Sequence, residues 1–250
     1  MQHLLRKQII TGALLLCFSI VSVAQRRGEV YQPFYDEDLF YLGFNVGLNN
    51  NYYNFNRNIE FASPATGVVN TINPKNNLSL TMGLAGTLRL STHTLLRLNP
   101  TVVIAGSKNL FTFTRMGYPN DNPTMNAATA LINIPLAVKI VSDRYNAFHY
   151  TDIMRHYVFV GGKIDYDLVG PNGSIVNSSA GAEPIYKKIF NSLDYGYEMG
   201  LGLSFYLPYA TISPEVKFSY GLRNLNNAAP LLSGIRDITS NFVYFTIHVE

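Results

Sequence analysis

Two aspartates separated by one residue are the first candidates for chemistry in this sequence. Asp165 and Asp167 flank Tyr166, so in a strand both carboxylates point to the same side. Two adjacent carboxylates are an arrangement that general acid–base catalysis uses. They serve equally well as charge partners, and Lys163 stands on the same predicted face. We interpret Asp165 and Asp167 as partners of neighbouring basic groups and not as a catalytic pair.

The histidines form the second set of candidates. His149 and His156, with Asp152 between them, are residue types that bind metals, although histidines of a surface connection are the simpler interpretation. His93 falls in a predicted short turn, and His248 lies near the end of the last predicted strand. None of them stands at an outer strand end beside a serine and a carboxylate, as a hydrolytic site would require. We therefore predict no enzymatic activity, no metal and no cofactor.

The elements that carry these residues are predicted to be strands. Apolar side chains occupy every second position from Phe40 to Leu48, and mostly polar or small residues fill the positions between them. This period of two is typical of a strand with one apolar face. Most segments of this kind here are about 10–13 residues long, enough to cross a hydrocarbon core as tilted strands. The eight segments that show the pattern lie at 40–49, 78–89, 96–107, 132–140, 158–168, 194–205, 211–220 and 243–249.

The composition excludes several classes of protein. Charged residues make up 14 % of the chain and hydrophobic residues 47 %, whereas about 25 % charged residues are usual in globular domains. The mean hydropathy is only +0.07, and no run of roughly 18 apolar residues follows the N-terminal region. These values exclude a bundle of membrane helices and intrinsic disorder. Since 19 basic residues stand against 16 acidic ones, a basic field for nucleic acid is excluded as well.

The second face of the predicted strands favours a membrane barrel over a soluble one. It consists of Gly, Ala, Ser, Thr and Asn with scattered charges, which suit a crowded interior better than a solvated exterior. Leucine is frequent on the apolar face, although strands of soluble proteins prefer β-branched residues. The sequence therefore predicts an all-β fold, an eight-stranded antiparallel up-and-down transmembrane β-barrel of the outer membrane. A soluble secreted barrel is the alternative.

The connections between the strands alternate in length, as long external loops and short periplasmic turns do in outer-membrane barrels. Both chain ends then lie on the periplasmic side, and the first strand must pair with the last to leave no open edge in lipid. The long connections are 50–77, 108–129, 169–192 and 223–238. The shorter ones are 91–93, 142–156 and 207–209.

The N-terminal segment 1–24 has the pattern of a cleaved signal peptide. Basic residues at positions 6 and 7 precede an apolar stretch, and small residues end at Ala24. The only cysteine, Cys17, lies within this segment, so the mature chain would have no disulfide. Removing two of the 19 basic residues leaves 17 against 16 acidic ones. We assign 25–37 to an N-terminal periplasmic segment and 38–250 to the outer-membrane barrel.

Charged side chains on the second face are predicted to line the lumen. An eight-stranded barrel is only wide enough to be filled by its own side chains. Because unpaired charge is costly in a confined space, five basic and five acidic residues should neutralise one another. A narrow ion or proton path is the alternative. The ten residues of this predicted network are Arg89, Arg97, Lys139, Lys163, Asp165, Asp167, Asp194, Glu198, Glu215 and Lys217.

The segment that begins at Ile134 resembles a known family. It reads IPLAVKIVSDRYNAF and, further on, RHYVFVGGKIDYDL. An Ile-Pro-Leu strand with a lysine, a turn with Arg and Asn, and an Asp-Tyr-Asp-Leu end are similar to the PorT family (PorT/SprT type) of Bacteroidota outer-membrane barrels. The first strand, FYLGFNVGLNNNYYNF, and the last, SNFVYFTIHVE, resemble that family too. The matching residues are Ile134, Pro135, Leu136, Lys139, Arg144, Asn146, Arg155, Tyr157, Gly161, Asp165, Asp167 and Leu168.

The resemblance implies a non-enzymatic accessory or assembly role in type IX protein secretion and gliding motility. Because so small a barrel has a filled lumen, the role would depend on loops and on the connection 142–156. Arg144, Asp152 and Arg155 are the candidate contacts for a protein partner there. The expected partners are outer-membrane lipid and proteins of the secretion machinery, with no nucleic acid and no small-molecule substrate. The alternatives are a generic small barrel with extracellular binding loops, a narrow solute or lipid channel, and an outer-membrane enzyme.

Overall fold

A computed structural model of the chain describes residues 33–57, 71–74, 77–114, 124–145, 153–168, 174–177, 185–186, 191–226 and 235–250. In these ranges the chain forms one short 3₁₀ helix, Pro33–Asp36, and twelve strands. The strands are β1 (Phe40–Arg57), β2 (Thr71–Pro74), β3 (Asn77–Arg89), β4 (Thr94–Leu98), β5 (Thr101–Thr114), β6 (Thr124–Val141), β7 (Met154–Asp167), β8 (Ser174–Asn177), β9 (Ile185–Tyr186), β10 (Leu193–Tyr206), β11 (Thr211–Gly221) and β12 (Ile235–Val249). The predicted signal peptide, 1–24, lies outside the described residues.

The strands close into an antiparallel ring. The ring runs β1, β12, β11, β10, β7, β6, then β4 with β5, then β3 and back to β1. The closing ladder between β1 and β12 extends from Phe44↔Val249 to Arg57↔Ile235. The predicted closed antiparallel barrel is confirmed by these pairings, with β4 and β5 sharing one of its eight positions. No helix in the described ranges is long and apolar enough to span a membrane.

Strands β4 and β5 are one barrel strand that is interrupted by a proline. Leu98 pairs with Leu136 and Thr101 with Asn133, so the register against β6 is the same on both sides of the interruption. Pro100 has no N–H to donate, and Pro135 opposite is also unable to donate to Asn99. The hydroxyl of Thr101 donates instead to the Asn99 carbonyl at 3.0 Å. A side chain therefore replaces one missing backbone hydrogen bond.

The two faces of the ring differ as the alternation predicts. Outward side chains on β1 are exposed apolar groups, such as Leu42 at 69 % and Phe40 at 55 %, whereas inward ones such as Asn45 and Asn49 are buried. The same contrast holds on β7, where Ile164 is 54 % exposed and Lys163 only 3 %. A continuous apolar exterior of this kind is an interaction surface, and in a closed membrane barrel this surface contacts lipid.

Several strands are longer than the predicted segments. β1 continues to Arg57 and β5 to Thr114, both inside connections that were predicted to be loops. The short strands β2, β8 and β9 also lie inside predicted loops. The loop predictions were wrong at these positions because backbone ladders continue beyond the lipid belt, where no apolar alternation marks a strand.

Two inward glycines of β10 make room for aromatic rings of β7. A Cβ at Gly200 would meet the Phe159 ring at 2.6 Å, and one at Gly202 would overlap the ring of Tyr157. At Gly162, which points outward, the nearest atom to an added Cβ is the Gly196 carbonyl oxygen at 3.9 Å. The interior is therefore close-packed at β10, and the exterior has space at β7.

We expect Gly202→Val to destabilise the barrel by roughly 1–3 kcal/mol, the usual cost of overpacking an interior. The outward substitution Gly162→Val is the matched control and should leave the free energy of unfolding within about 0.5 kcal/mol of the wild type. Urea titration monitored by the mobility of folded and unfolded protein on unheated gels measures both. Equal stability of the two variants would contradict this account of β10.

Candidate functional site

The inner third of the lumen is organised around one carboxylate. The inner end is the end at which β1 begins and β12 ends. Glu215 Oε2 lies 2.7 Å from Nη1 of Arg97 and accepts a hydrogen bond from the Tyr157 hydroxyl at 3.0 Å. His248 Nε2 lies 3.6 Å from Glu215 Oε1, and the Lys139 ammonium lies 3.8 Å from the centre of the Tyr157 ring. The contacts of Glu215 with Arg97 and Tyr157 join strands that are not neighbours in the ring, so they cross the lumen.

The middle and the outer end of the lumen hold further pairs. Lys217 Nζ lies 3.2 Å from Glu198 Oε2, and Lys163 Nζ lies 2.5 Å from Asp165 Oδ2. Asp165 also accepts from the Asn133 amide at 2.5 Å. Near the outer end, Asp194 accepts hydrogen bonds from the Ser240 hydroxyl at 2.5 Å and from the Arg223 backbone N–H at 3.3 Å. Eight of the ten residues of the predicted network are buried in the lumen, and these eight are Arg97, Lys139, Lys163, Asp165, Asp194, Glu198, Glu215 and Lys217.

Each end of the lumen has an excess of one sign of charge, although Glu215 lies among the basic groups of the inner end and Lys163 among the acidic groups of the outer end. The basic side chains Arg97 and Lys139 lie near the inner end, where β4 begins and β6 ends. The acidic side chains Asp165, Asp167 and Asp194 lie at the outer end, where β7 ends and β10 begins. Sequence parity predicts which side chains face inward but not this polarity, because the polarity depends on the direction of each strand in the closed ring.

The remaining basic residue of the predicted network, Arg89, belongs to a cluster at the inner mouth. Its Nη2 lies 3.5 Å from Oδ1 of Asp36, in the 3₁₀ helix that precedes β1. Arg144 Nε lies 2.7 Å from Asp36 Oδ2, and Arg155 Nη1 lies 3.0 Å from Oδ1. Three guanidinium groups from three parts of the chain therefore converge on one carboxylate. Asp36 lies in the segment 25–37 that is predicted to be periplasmic, and its contacts with the arginines were not predicted.

Aromatic side chains surround this cluster. The Tyr35 ring centre lies 4.6 Å from that of Tyr41 and 5.5 Å from that of Tyr206. The Tyr35 hydroxyl donates to Glu250 Oε2 at 2.8 Å. Burial first, and the Glu250 carboxylate second, raise the pKa of Tyr35 well above its usual value, so the hydroxyl keeps its proton at neutral pH. We call the segment Tyr35–Asp36 the inner-mouth cap, because it contacts the three arginines and the two tyrosines at this end of the lumen.

Two of the three predicted partner contacts in the connection 142–156, Arg144 and Arg155, lie at the inner mouth. Arg144 stacks over the ring of Tyr206, with Cζ 3.8 Å from the ring centre, and its side chain is 9 % exposed. The side chain of Arg155 is 8 % exposed and also binds Asp36. Asp152 lies outside the described residues, as does His149. Contact of these residues with another protein stays a prediction.

The candidates for metal binding and catalysis include His93, Asp165 and Asp167. Among them no group of three His, Cys, Asp or Glu side chains is placed to hold a metal ion. At the outer end, Asp165, Asp167 and Asp194 line a cavity of about 30 Å³, the size of one water molecule. His93 Nε2 lies 2.9 Å from Asp143 Oδ1 on the exposed inner turns. Asp165 is paired with Lys163, and His93 is paired with Asp143.

The chain belongs to the outer membrane protein beta-barrel domain family, whose model matches residues 24–227. It is therefore a barrel of the Gram-negative outer membrane. This family is a general one and does not single out the PorT family. No curated protein matches the sequence closely enough to count as a relative.

Several solved structures of outer-membrane proteins are similar to this chain at low identity. Neisserial surface protein A is 9 % identical with a TM-score of 0.39, over 82 % of this chain and 96 % of its own. The attachment invasion locus protein Ail of Yersinia pestis is 8 % identical with a TM-score of 0.38, over 83 % and 96 %. The outer membrane protease OmpT of Escherichia coli is 9 % identical with a TM-score of 0.41, over 89 % and 98 %. These similarities carry no information about what this chain binds.

Proposed function

We propose that this protein is a sealed, non-enzymatic outer-membrane barrel that acts through surfaces outside its lumen, chiefly its long extracellular loops. The observation that supports this proposal is the filled interior. The Arg97–Glu215 pair joins β4 and β11 across the lumen, and the inner-mouth cap lies at the mouth below it. The next level outward is occupied by the Lys217–Glu198 pair, whose side chains come from the neighbouring strands β11 and β10. A narrow solute channel would need a continuous water-filled path, so side chains that cross the lumen argue against the channel alternative.

The loops are supported as the acting surface by the strands that carry them. β1, β5 and β6 extend beyond the belt of exposed apolar residues, and β2 and β8 pair with these extensions. Backbone ladders of this kind give the loops a rigid base, and binding residues are often carried by loops on rigid scaffolds. The proposed partners are therefore macromolecules outside the cell.

The resemblance to the PorT family supplies a second proposal, an accessory role in type IX secretion and gliding motility in a Bacteroidota-like bacterium. It differs from the first in its acting surface, because the connection 142–156 faces the periplasm. The observation in its favour is the cluster of Arg144 and Arg155 at the inner mouth. The two proposals can be separated by altering the extracellular loops in one variant and the connection 142–156 in another.

The first test is conductance in planar bilayers. We expect no stepwise current from the purified wild-type protein at about 1 M salt, an ionic strength about sevenfold above the physiological value. In the comparison variant, Glu198 and Lys217 are both replaced by alanine, which removes one layer of long side chains from the lumen. Stable single-channel steps from the wild type would overturn the sealed barrel.

The second test is genetic complementation in a deletion strain. A variant with short Gly-Ser turns at 58–70, 115–123 and 227–234 should insert normally but should not complement the deletion. A variant with residues 147–152 deleted should restore it. The reverse result, accompanied by a defect in protein export, would reject the loop proposal and support the secretion role.

A further inference from the structure

We propose that the inner mouth is a binding site for an acidic peptide segment with a tyrosine followed by an aspartate, and that the chain's own Tyr35 and Asp36 occupy this site. The ligand that the site would take in exchange is such a segment on another periplasm-facing protein. This inference does not depend on the extracellular loops.

The recognition of the aspartate is specific for a carboxylate. Arg89, Arg144 and Arg155 surround Asp36, and Arg155 reaches both of its oxygens, Oδ1 at 3.0 Å and Oδ2 at 3.5 Å. A guanidinium fork matches the planar geometry of a carboxylate. Because Asp36 contacts three guanidinium groups at once, the site favours a carboxylate at this position of a ligand.

The remaining contacts distinguish a peptide from a small anion. The Tyr35 ring packs between Tyr41 and Tyr206, and its hydroxyl donates to Glu250. Arg89 also donates to two backbone carbonyls, from Nη2 to Tyr35 at 3.2 Å and from Nε to Asp38 at 3.1 Å. The site therefore reads an aromatic ring, a carboxylate and the backbone between them, a combination that only a peptide provides.

The occupant and the site are separable parts of the chain. The walls come from β1, β3, β10, the start of β7, Arg144 in the connection after β6, and Glu250. The occupant stands before β1 and is joined to it through Glu37, Asp38 and Leu39. A short tether gives the occupant a local concentration of about millimolar, so a competing segment must bind tightly or be presented in several copies.

The test uses the full chain with its own occupant removed. In the variant Tyr35→Ala/Asp36→Ala, a fluorescent peptide with the sequence Phe-Tyr-Asp-Glu-Asp should bind saturably when anisotropy is measured in detergent micelles. The peptide with Asn in place of its first Asp should bind about tenfold more weakly, the loss of one charge-assisted contact. Wild-type protein, whose site is occupied, should bind the first peptide at least about tenfold more weakly than the variant.

Matched variants locate the binding. Adding Arg144→Gln and Arg155→Gln to the emptied variant should abolish peptide binding, whereas adding Arg223→Gln at the outer end should not change it. Gel mobility without heating shows that each variant is folded. A folded, emptied variant that fails to bind the peptide would overturn the proposal. A mixed dimer between emptied and wild-type chains would also overturn it, because the site would then belong to a second copy.

Discussion

Replacing Glu215 by glutamine is expected to lower the free energy of unfolding by about 3–5 kcal/mol, the cost of leaving a buried charge without its partner. The glutamine keeps the size of the side chain but removes the charge that faces Arg97 at 2.7 Å. Both side chains of the pair are almost fully buried, at 2 % and 0 % exposure, so water cannot replace the carboxylate easily. His248 loses its nearest carboxylate in the same step.

The measurement is urea unfolding of the barrel in lipid vesicles, followed by gel mobility since the chain contains no tryptophan. Asp237→Asn is the matched control, because its partner Arg236 has a side chain that is 77 % exposed and the pair lies at 3.4 Å. An exposed pair contributes about 1 kcal/mol or less. The double variant Arg97→Met/Glu215→Leu should recover much of the loss, since it removes both charges. Similar losses for Glu215→Gln and Asp237→Asn would contradict the buried network.

Replacing Asp36 by asparagine is expected to release the inner-mouth cap. Three guanidinium groups lose one shared carboxylate, and we expect a loss of about 2–3 kcal/mol, less than for a fully buried group because the Asp36 side chain is 32 % exposed. Hydrogen exchange of the amides from Tyr35 to Leu39 should become faster by about 30-fold or more, the equivalent of about 2 kcal/mol.

The control for this variant is Glu37→Gln, which changes the charge of the next residue. The side chain of Glu37 is exposed, so exchange of the same amides should stay as in the wild type. Exchange in the strand centres, around Val160 and Leu201, should not change in either variant. Unchanged exchange near Tyr35 in Asp36→Asn would show that the aromatic contacts alone hold the cap.

Much of the fold could be predicted because the period of two determines which side each residue faces. The alternation along the strand alone placed Lys163 and Asp165 inside and Ile164 outside, and the burial of these residues agrees. Pairing partners were harder to predict. Arg97 and Glu215 are far apart in sequence, and their contact depends on the shift between neighbouring strands around the whole ring, which no local pattern encodes.

The inner-mouth cap could not be predicted for a different reason. Pro33–Asp36 has neither alternation nor a helical period, and its conformation is set by contacts with distant arginines. The one signal in the sequence was compositional. The acidic run Asp36-Glu37-Asp38 stands before the first strand, and Arg144 and Arg155 border a connection on the same side of the barrel.

The closing ladder between β1 and β12 has a consequence for how the protein folds. Its partners, from Phe44↔Val249 to Arg57↔Ile235, come from opposite ends of the described chain. Lengthening a loop adds little entropy cost, about 0.6 kcal/mol per doubling, but contacts of high sequence separation form slowly. Until β12 arrives, β1 has an unpaired edge that is prone to aggregation. The slow step of folding should therefore be the capture of the last strand, and β1 needs protection from other chains throughout that wait.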